Sequence, residues 1–191
     1  MDKKSELQSV FLNGKRVCLR PLHPDEDLTD YLSWMNYQEI TRYLETGKSV
    51  TTIKSLRDYI IQNNSSNSIL LGIFIKETGK HIGNIKLHLI DYQNRSAEIG
   101  IIIGDKTSQG QGYACESIRL LLDHAFLRLN LHRVSAGMVV NNIASKRVFE
   151  KSGFVLEGTL RESFLLDGTY HDCYRLGILE SEYMSIPDKE A

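Results

Sequence analysis

Residues 107–126 read TSQGQGYACESIRLLLDHAF, with Gly110 and Gly112 alternating with Gln109 and Gln111 just where an apolar-periodic run begins. Glycine weakens a helix by about 1 kcal/mol relative to alanine, so two of them at a helix start need a reason. The first turn of a helix has backbone N–H groups without partners. Together with the helix dipole these attract anions, phosphates above all. A side chain at the turn would hold an anion off. Glycine removes that obstacle and allows the dihedrals that let successive N–H groups converge on one point. A tight strand-to-helix turn is the plainer reading, and the spacing alone leaves both open.

Working outward, the run over about 111–129 carries Ala114, Ile118, Leu121, Leu122, Ala125, Phe126 and Leu129 at helical spacing. Before it, SAEIGIIIG (96–104) reads as a strand. Its Ile101, Ile102 and Ile103 are apolar on both faces and belong mid-sheet. RVCLRPL (16–22) reads as a first strand. Pro24, Asp25, Glu26 and Asp27 suit the start of a helix with Leu28, Tyr31, Leu32 and Met35 on one side. SVTTIKSLRDYIIQNN (49–64) reads as a second helix, capped by Thr51 or Thr52. SILLGIFIK (68–76) and HIGNIKLHLIDY (81–92) form a hairpin across a glycine turn. HRVSAGMVV (132–140) is a strand, and NIASKRVFEKSG (142–153) is a short helix ending at Gly153. FVLEGTLRESFLL and TYHDCYRLGIL close as two strands around Asp167-Gly168. The expectation is an α/β (α+β) fold with a mixed, mostly antiparallel sheet of about seven strands and about four helices. A frayed tail, SIPDKEA, ends the chain.

The 191 residues, 41% of them hydrophobic, suit one domain with a substantial core. A formal net charge of -1 lacks the basic footprint of a nucleic-acid binder. Cys18, Cys115 and Cys173 have neither metal-ligand spacing nor the arithmetic of a disulfide framework, and the histidines form no metal cluster, so no metal is expected. MDKKSELQSVFLNGKR has no apolar signal region, and no apolar run nears the roughly 20 residues of a membrane span. A cytoplasmic protein with no membrane partner is expected. A dinucleotide fingerprint fails because Cys115 occupies its third glycine position. A P-loop fails because Arg42 stands where its first glycine belongs, ahead of Gly47-Lys48-Ser49.

The pattern that fits is Q-x-x-G-x-A: Gln109, Gly112 and Ala114. It resembles the pyrophosphate-binding loop of the GNAT N-acetyltransferase superfamily. NNIASKRVFEKSGF (141–154) resembles the same family's second signature through Asn142, Ser145, Phe149, Glu150, Gly153 and Phe154. The closing EGTLRESFLLDGTYHDCYRLGIL, with RSAEIGIIIG and LNLHRV, resembles the branch of ribosomal-protein N-terminal and spermidine N-acetyltransferases. The likeness covers about residues 15–180. It implies acetyl-CoA as co-substrate, direct transfer to a primary amine, and a sheet splayed between strands 97–104 and 132–140. It also implies a cofactor site at Ile101, Ile102, Ile103, Gln109, Gly110, Gln111, Gly112, Tyr113, Ala114, Asn142, Ser145 and Phe149. Homodimers are frequent in this branch.

Acetyl transfer from a thioester needs a neutral, aimed amine, donors for the developing oxyanion, and in some cases a proton for the thiolate. The resemblance has the pantetheine arm pair with backbone around Ile101–Ile103. Many members protonate the thiolate with a tyrosine where this chain has Phe149, so Ser145 is the substitute named here. Glu98, in an otherwise apolar strand, is the base candidate, or else a salt-bridge partner of Arg95 or Lys86. Asn142 either contacts the cofactor or caps a helix. Acceptor recognition in the branch falls to Trp34, Asn36, Tyr43 and Glu45, and to Tyr170 and Asp172 of the last hairpin. A protein N-terminal α-amine, an amino sugar and a polyamine compete as acceptors. A non-catalytic acetyl-CoA-binding module is the alternative.

Overall fold

Strands of Val, Ile and Leu supply most of the sheet, because β-branched and apolar side chains pack well on a pleated surface covered from both sides. The computed structural model describes residues 9–44 and 49–187. Its strands are β1 (Leu12–Asn13), β2 (Val17–Pro21), β3 (Ile69–Ile75), β4 (His81–Asp91), β5 (Ser96–Ile103), β6 (Arg133–Val139), β7 (Val155–Leu166) and β8 (Thr169–Leu179). They form one sheet of eight strands in the order β1-β2-β3-β4-β5-β6-β8-β7. Among the described residues there are six helices: α1 (Thr29–Met35), α2 (Gln38–Thr41), α3 (Ile53–Gln62), α4 (Tyr113–Asp123), α5 (Ile143–Lys151) and α6 (Glu180–Met184). The last turns after α4, His124–Arg128, are π-helical.

The mixed sheet between helices is as expected, with one strand and two helices more. β1 is only two residues and pairs with β2, too short to show a period. α2 and α6, of four and five residues, are likewise too short for a helical stripe. Pro24 and the acids lie before α1 rather than in its first turn. Glu26 accepts from His23 N at 2.7 Å and pairs with Arg20 at 2.7 Å, while Asp27 accepts from Thr29 N at 3.0 Å. Thr52, not Thr51, caps α3 in a capping box with Ser55. The hairpin turn has φ of 49° at Asp167 and 78° at Gly168, the two positive values a tight two-residue turn requires.

The core has two parts, one on each face of the sheet. On one face, Ile118, Leu121, Leu122, Ala125 and Phe126 pack with Val17, Leu19, Ile85 and Ile99. On the other, Tyr31 and Trp34 of α1 and Leu56 and Ile60 of α3 pack on Leu70 and Phe74 of β3. Glu116 is buried in α4 among apolar neighbours. Its carboxylate accepts from Arg16 N at 2.7 Å and Val17 N at 3.2 Å, tying the helix to the start of β2. Burial opposes its ionisation, but these donors and the Arg16 guanidinium hold its pKa below the usual value. Among the described residues no helix is long and apolar enough to cross a membrane.

Candidate active site

Among the described residues β5 and β6 are the one parallel pair, and their pairing is short. Partners run Ser96–Arg133, Ala97–Val134 and Glu98–Ser135, and stop there. β6 continues to Val139 along β8, and β5 continues to Ile103 along β4. From Ile99 onward the edge of β5 that faces β6 therefore has no strand beside it among the described residues. A cavity of about 700 Å³ opens at this gap, bordered by Ile99, Gly100, Ile101 and Ile102 of β5 and Gly137, Met138 and Val139 of β6. Consecutive residues of β5, from both alternation sets, line it, as they do where a cavity meets a strand's edge and not just one face.

The loop after β5 is held by its own polar groups. Asp105 accepts from Ser108 Oγ at 2.5 Å and Thr107 Oγ1 at 2.7 Å, and pairs with Lys80 at 2.9 Å. Burial works against this carboxylate, but those partners prevail and bring its pKa to about 2. Gln109 Nε2 donates to Ile103 O at 2.9 Å, and Gln111 Nε2 to Thr107 O at 2.5 Å. Gly110 and Gly112 have φ of 73° and 85°, the left-handed region that only glycine enters cheaply. Gly112 is the N-cap of α4, and the first helical bond runs from Glu116 N to Gly112 O at 3.2 Å. The N–H groups of Tyr113, Ala114 and Cys115 thus have no partner within the helix. They open beside a smaller cavity of about 160 Å³, lined by Gly110, Gly112, Tyr113 and Ala114 and by the basic residues Arg147 and Lys151. Arg16 supports the loop from outside, donating to Gln111 O at 2.9 Å and lying over the Tyr113 ring at 4.9 Å.

The remaining expected residues divide. Glu98 borders the large cavity and is ion-paired at 2.7 Å with Arg175 of β8, in place of Arg95 or Lys86. Arg95 instead donates to Asn130 and Lys86 to Asn63, because the chain's pairing order carries β8 next to β6. Arg175 crosses Gly137 to reach Glu98, and a Cβ on Gly137 would lie 2.8 Å from its Nη1. Asn142 caps α5 by accepting from Ser145 N at 3.2 Å. Ser145 sits in that first turn, half-buried. Phe149 is a core residue, 3% exposed and edge-on to Phe154 at 5.0 Å. None of these three borders either cavity.

Of the acceptor set, Tyr43 borders the large cavity. Trp34 does not: it is buried against His81 at 5.0 Å, and a Cβ on Gly104 would fall 2.0 Å from its ring. It packs on the end of β5. Asn36 clips the end of α1 to Thr51, donating to Thr51 O and accepting from Thr51 N, each at 2.9 Å. Tyr170 is exposed at the hairpin tip. Asp172 accepts from Glu162 N at 2.9 Å across the β7–β8 bulge. Glu45 lies outside the described residues.

The sequence reading missed the polar residues on the cavity wall. Asn84, Lys86 and His88 of β4 border it, with Tyr59 and Arg175. Their signal was present, since NIKLH alternates polar and apolar with the period of a strand. His88 is the Cα partner of Glu98. Burial, with the Lys86 charge, holds its imidazole below the usual pKa, against the pull of Glu98. Arg175 left no such signal, because its reach to Glu98 depends on strand order.

Known proteins are similar to this chain in sequence and fold. A spermidine N(1)-acetyltransferase of Vibrio cholerae is 41% identical over 104 residues, which are 54% of this chain and 60% of that protein. A Bacillus subtilis protein named "Probable N-acetyltransferase YjcK" is 34% identical over 90% of this chain and 98% of its own length. The crystal structure of spermidine N-acetyltransferase from Vibrio cholerae in complex with CoA and spermine superposes with a TM-score of 0.79. It is 31% identical and covers 88% of this chain and 98% of that one. The model of the acetyltransferase (GNAT) domain matches residues 16–155, and the chain belongs to the GNAT acetyltransferase family.

Proposed function

We propose that the protein transfers the acetyl group of acetyl-CoA directly to a primary amine held in the large cavity. The observation that carries this reading is the end of β5–β6 pairing at Glu98–Ser135, which leaves residues 99–102 bordering the cavity. The co-substrate supplies the activated acyl group. The chain's own part is binding, orientation and proton handling. The N–H groups of the Gln109–Ala114 loop and the basic Arg147 and Lys151 suit the pyrophosphate. Within Ile101, Ile102 and Ile103, the backbone groups that strand alternation turns away from β4 suit the pantetheine amides, and an N–H of this segment serves as oxyanion donor. Asn142 keeps its amide N–H₂ available, since its cap uses only the oxygen. Glu98 and His88, neighbours across β4 and β5, accept the amine's proton directly or through water. Ser145 provides the thiolate's proton.

An N-terminal α-amine, an amino sugar and a polyamine are the acceptor classes. Acetyl-CoA-dependent thiol release against that panel tests the reading. Turnover on one class is the expected result. Acetyl-CoA that binds without thiol release on any amine would favour the non-catalytic module. Phe149 is the observation on that side, since a buried phenylalanine has no proton to give.

A further inference from the structure

The charged side chains on the wall of the large cavity, among the described residues, are Lys86, Glu98 and Arg175. Arg175 and Glu98 neutralise each other at 2.7 Å. Among the described residues Lys86 has no carboxylate partner: its Nζ donates to Asn63 Oδ1 at 3.4 Å and stands 5.4 Å from the Tyr59 ring. The described side chains thus leave one positive charge on the wall, that of Lys86.

A second observation stands beside the first. Asn84 is 3% exposed, lines the same cavity, and its Nδ2 is buried without a hydrogen-bond partner. Its Oδ1 is engaged by His81 Nε2 at 3.0 Å, which fixes the amide with its donor end free. A buried donor without a partner is costly, and native proteins leave few of them. Asn84 and Lys86 are two residues apart on β4, about 7 Å along one face of the strand. Together they offer an amide donor and an ammonium to one ligand, a set that suits a carboxylate or phosphate oxygen.

We infer that the acceptor amine carries an anionic group, a carboxylate or a phosphate, which Lys86 and Asn84 bind while the amine faces Glu98 and His88. This rests on the acetyl-transfer reading and narrows it. A polyamine is the poorest fit, because its several ammonium groups would meet the Lys86 ammonium and a carboxylate already held by arginine.

The test uses the full chain saturated with CoA and matched probes that differ in the anion. These are glucosamine 6-phosphate against glucosamine, and L-alanine against L-alaninamide, with spermidine as the polycation. By calorimetry the anionic member of at least one pair should bind about tenfold tighter or better, with spermidine weaker than that member. Lys86→Gln should abolish the preference, and Lys86→Arg should keep it. A preference confined to the phosphate pair identifies a phosphorylated acceptor, and one confined to the carboxylate pair an amino-acid-like one. Equal binding within both pairs, or spermidine bound tightest by the wild type, overturns the inference. Thiol release from acetyl-CoA with the same amines is read separately. Its absence for every amine that binds would refute acetyl transfer and leave the binding comparison to decide the anion.

Discussion

Replacing Gly112 by alanine separates the two roles its sequence position suggested, tight turn and anion cradle. The residue has φ of +85°, so any side chain there is strained by about 1–2 kcal/mol. The new Cβ would lie 3.2 Å from Arg16 Nη2, tighter than an ordinary contact. Arg16 is 42% exposed and can yield by a few tenths of an ångström, though its bond to Gln111 O weakens as it does. The stability loss is therefore mainly backbone strain, a fall of roughly 2–8 °C in melting temperature for a chain of this size. The second effect is on ligand. If the loop N–H groups hold a pyrophosphate, tilting one away forfeits a charge-assisted bond of about 1.5–3 kcal/mol, or roughly 10- to 150-fold in Kd. Gly79→Ala is the control: its φ is +68°, nothing lies within 4 Å of the added carbon, and its turn joins β3 to β4 away from the loop. Both variants should melt lower, and only Gly112→Ala should bind acetyl-CoA more weakly by calorimetry. Equal acetyl-CoA affinity in the two variants would refute the cradle and leave Gly112 as a turn residue alone.

Gly100→Val should cut turnover at least tenfold while moving the melting temperature little, because the added carbon at Gly100 meets nothing within 4 Å and projects into the cavity. Unchanged turnover would show that the acceptor and the thioester do not meet there. Asp105, with its pKa brought to about 2 from an unfolded value near 3.8, contributes stability above pH 4 that is lost as the pH falls from about 4 toward 2. At neutral pH that amounts to roughly 2 kcal/mol. Urea unfolding at pH 7 and pH 3 should show Asp105→Asn less stable than wild type at the first pH and closer to it at the second, and a constant gap would contradict the assignment.

Local patterns are enough for most of the secondary structure here. Ile101–Ile103, the hairpin turn Asp167-Gly168 and the stripe from Ile118 to Phe126 act through period and turn chemistry, which neighbours along the chain decide. The paired glycines are legible for the same reason: the need for positive φ and open N–H groups is local. The alternation Asn84, Lys86, His88 was equally legible, but nothing local says that this polar face lines a cavity. The ends of short elements, β1, α2 and α6, escape because a few residues carry no period. Tertiary structure decides the rest. Glu98 meets Arg175 because β8 lies beside β6, and Gly137 leaves room for the guanidinium. Trp34 looks like a recognition residue in the sequence, but it is consumed in sealing Gly104. The gap itself follows from two parallel strands that part after Glu98, a relation between segments some forty residues apart that no window of sequence contains.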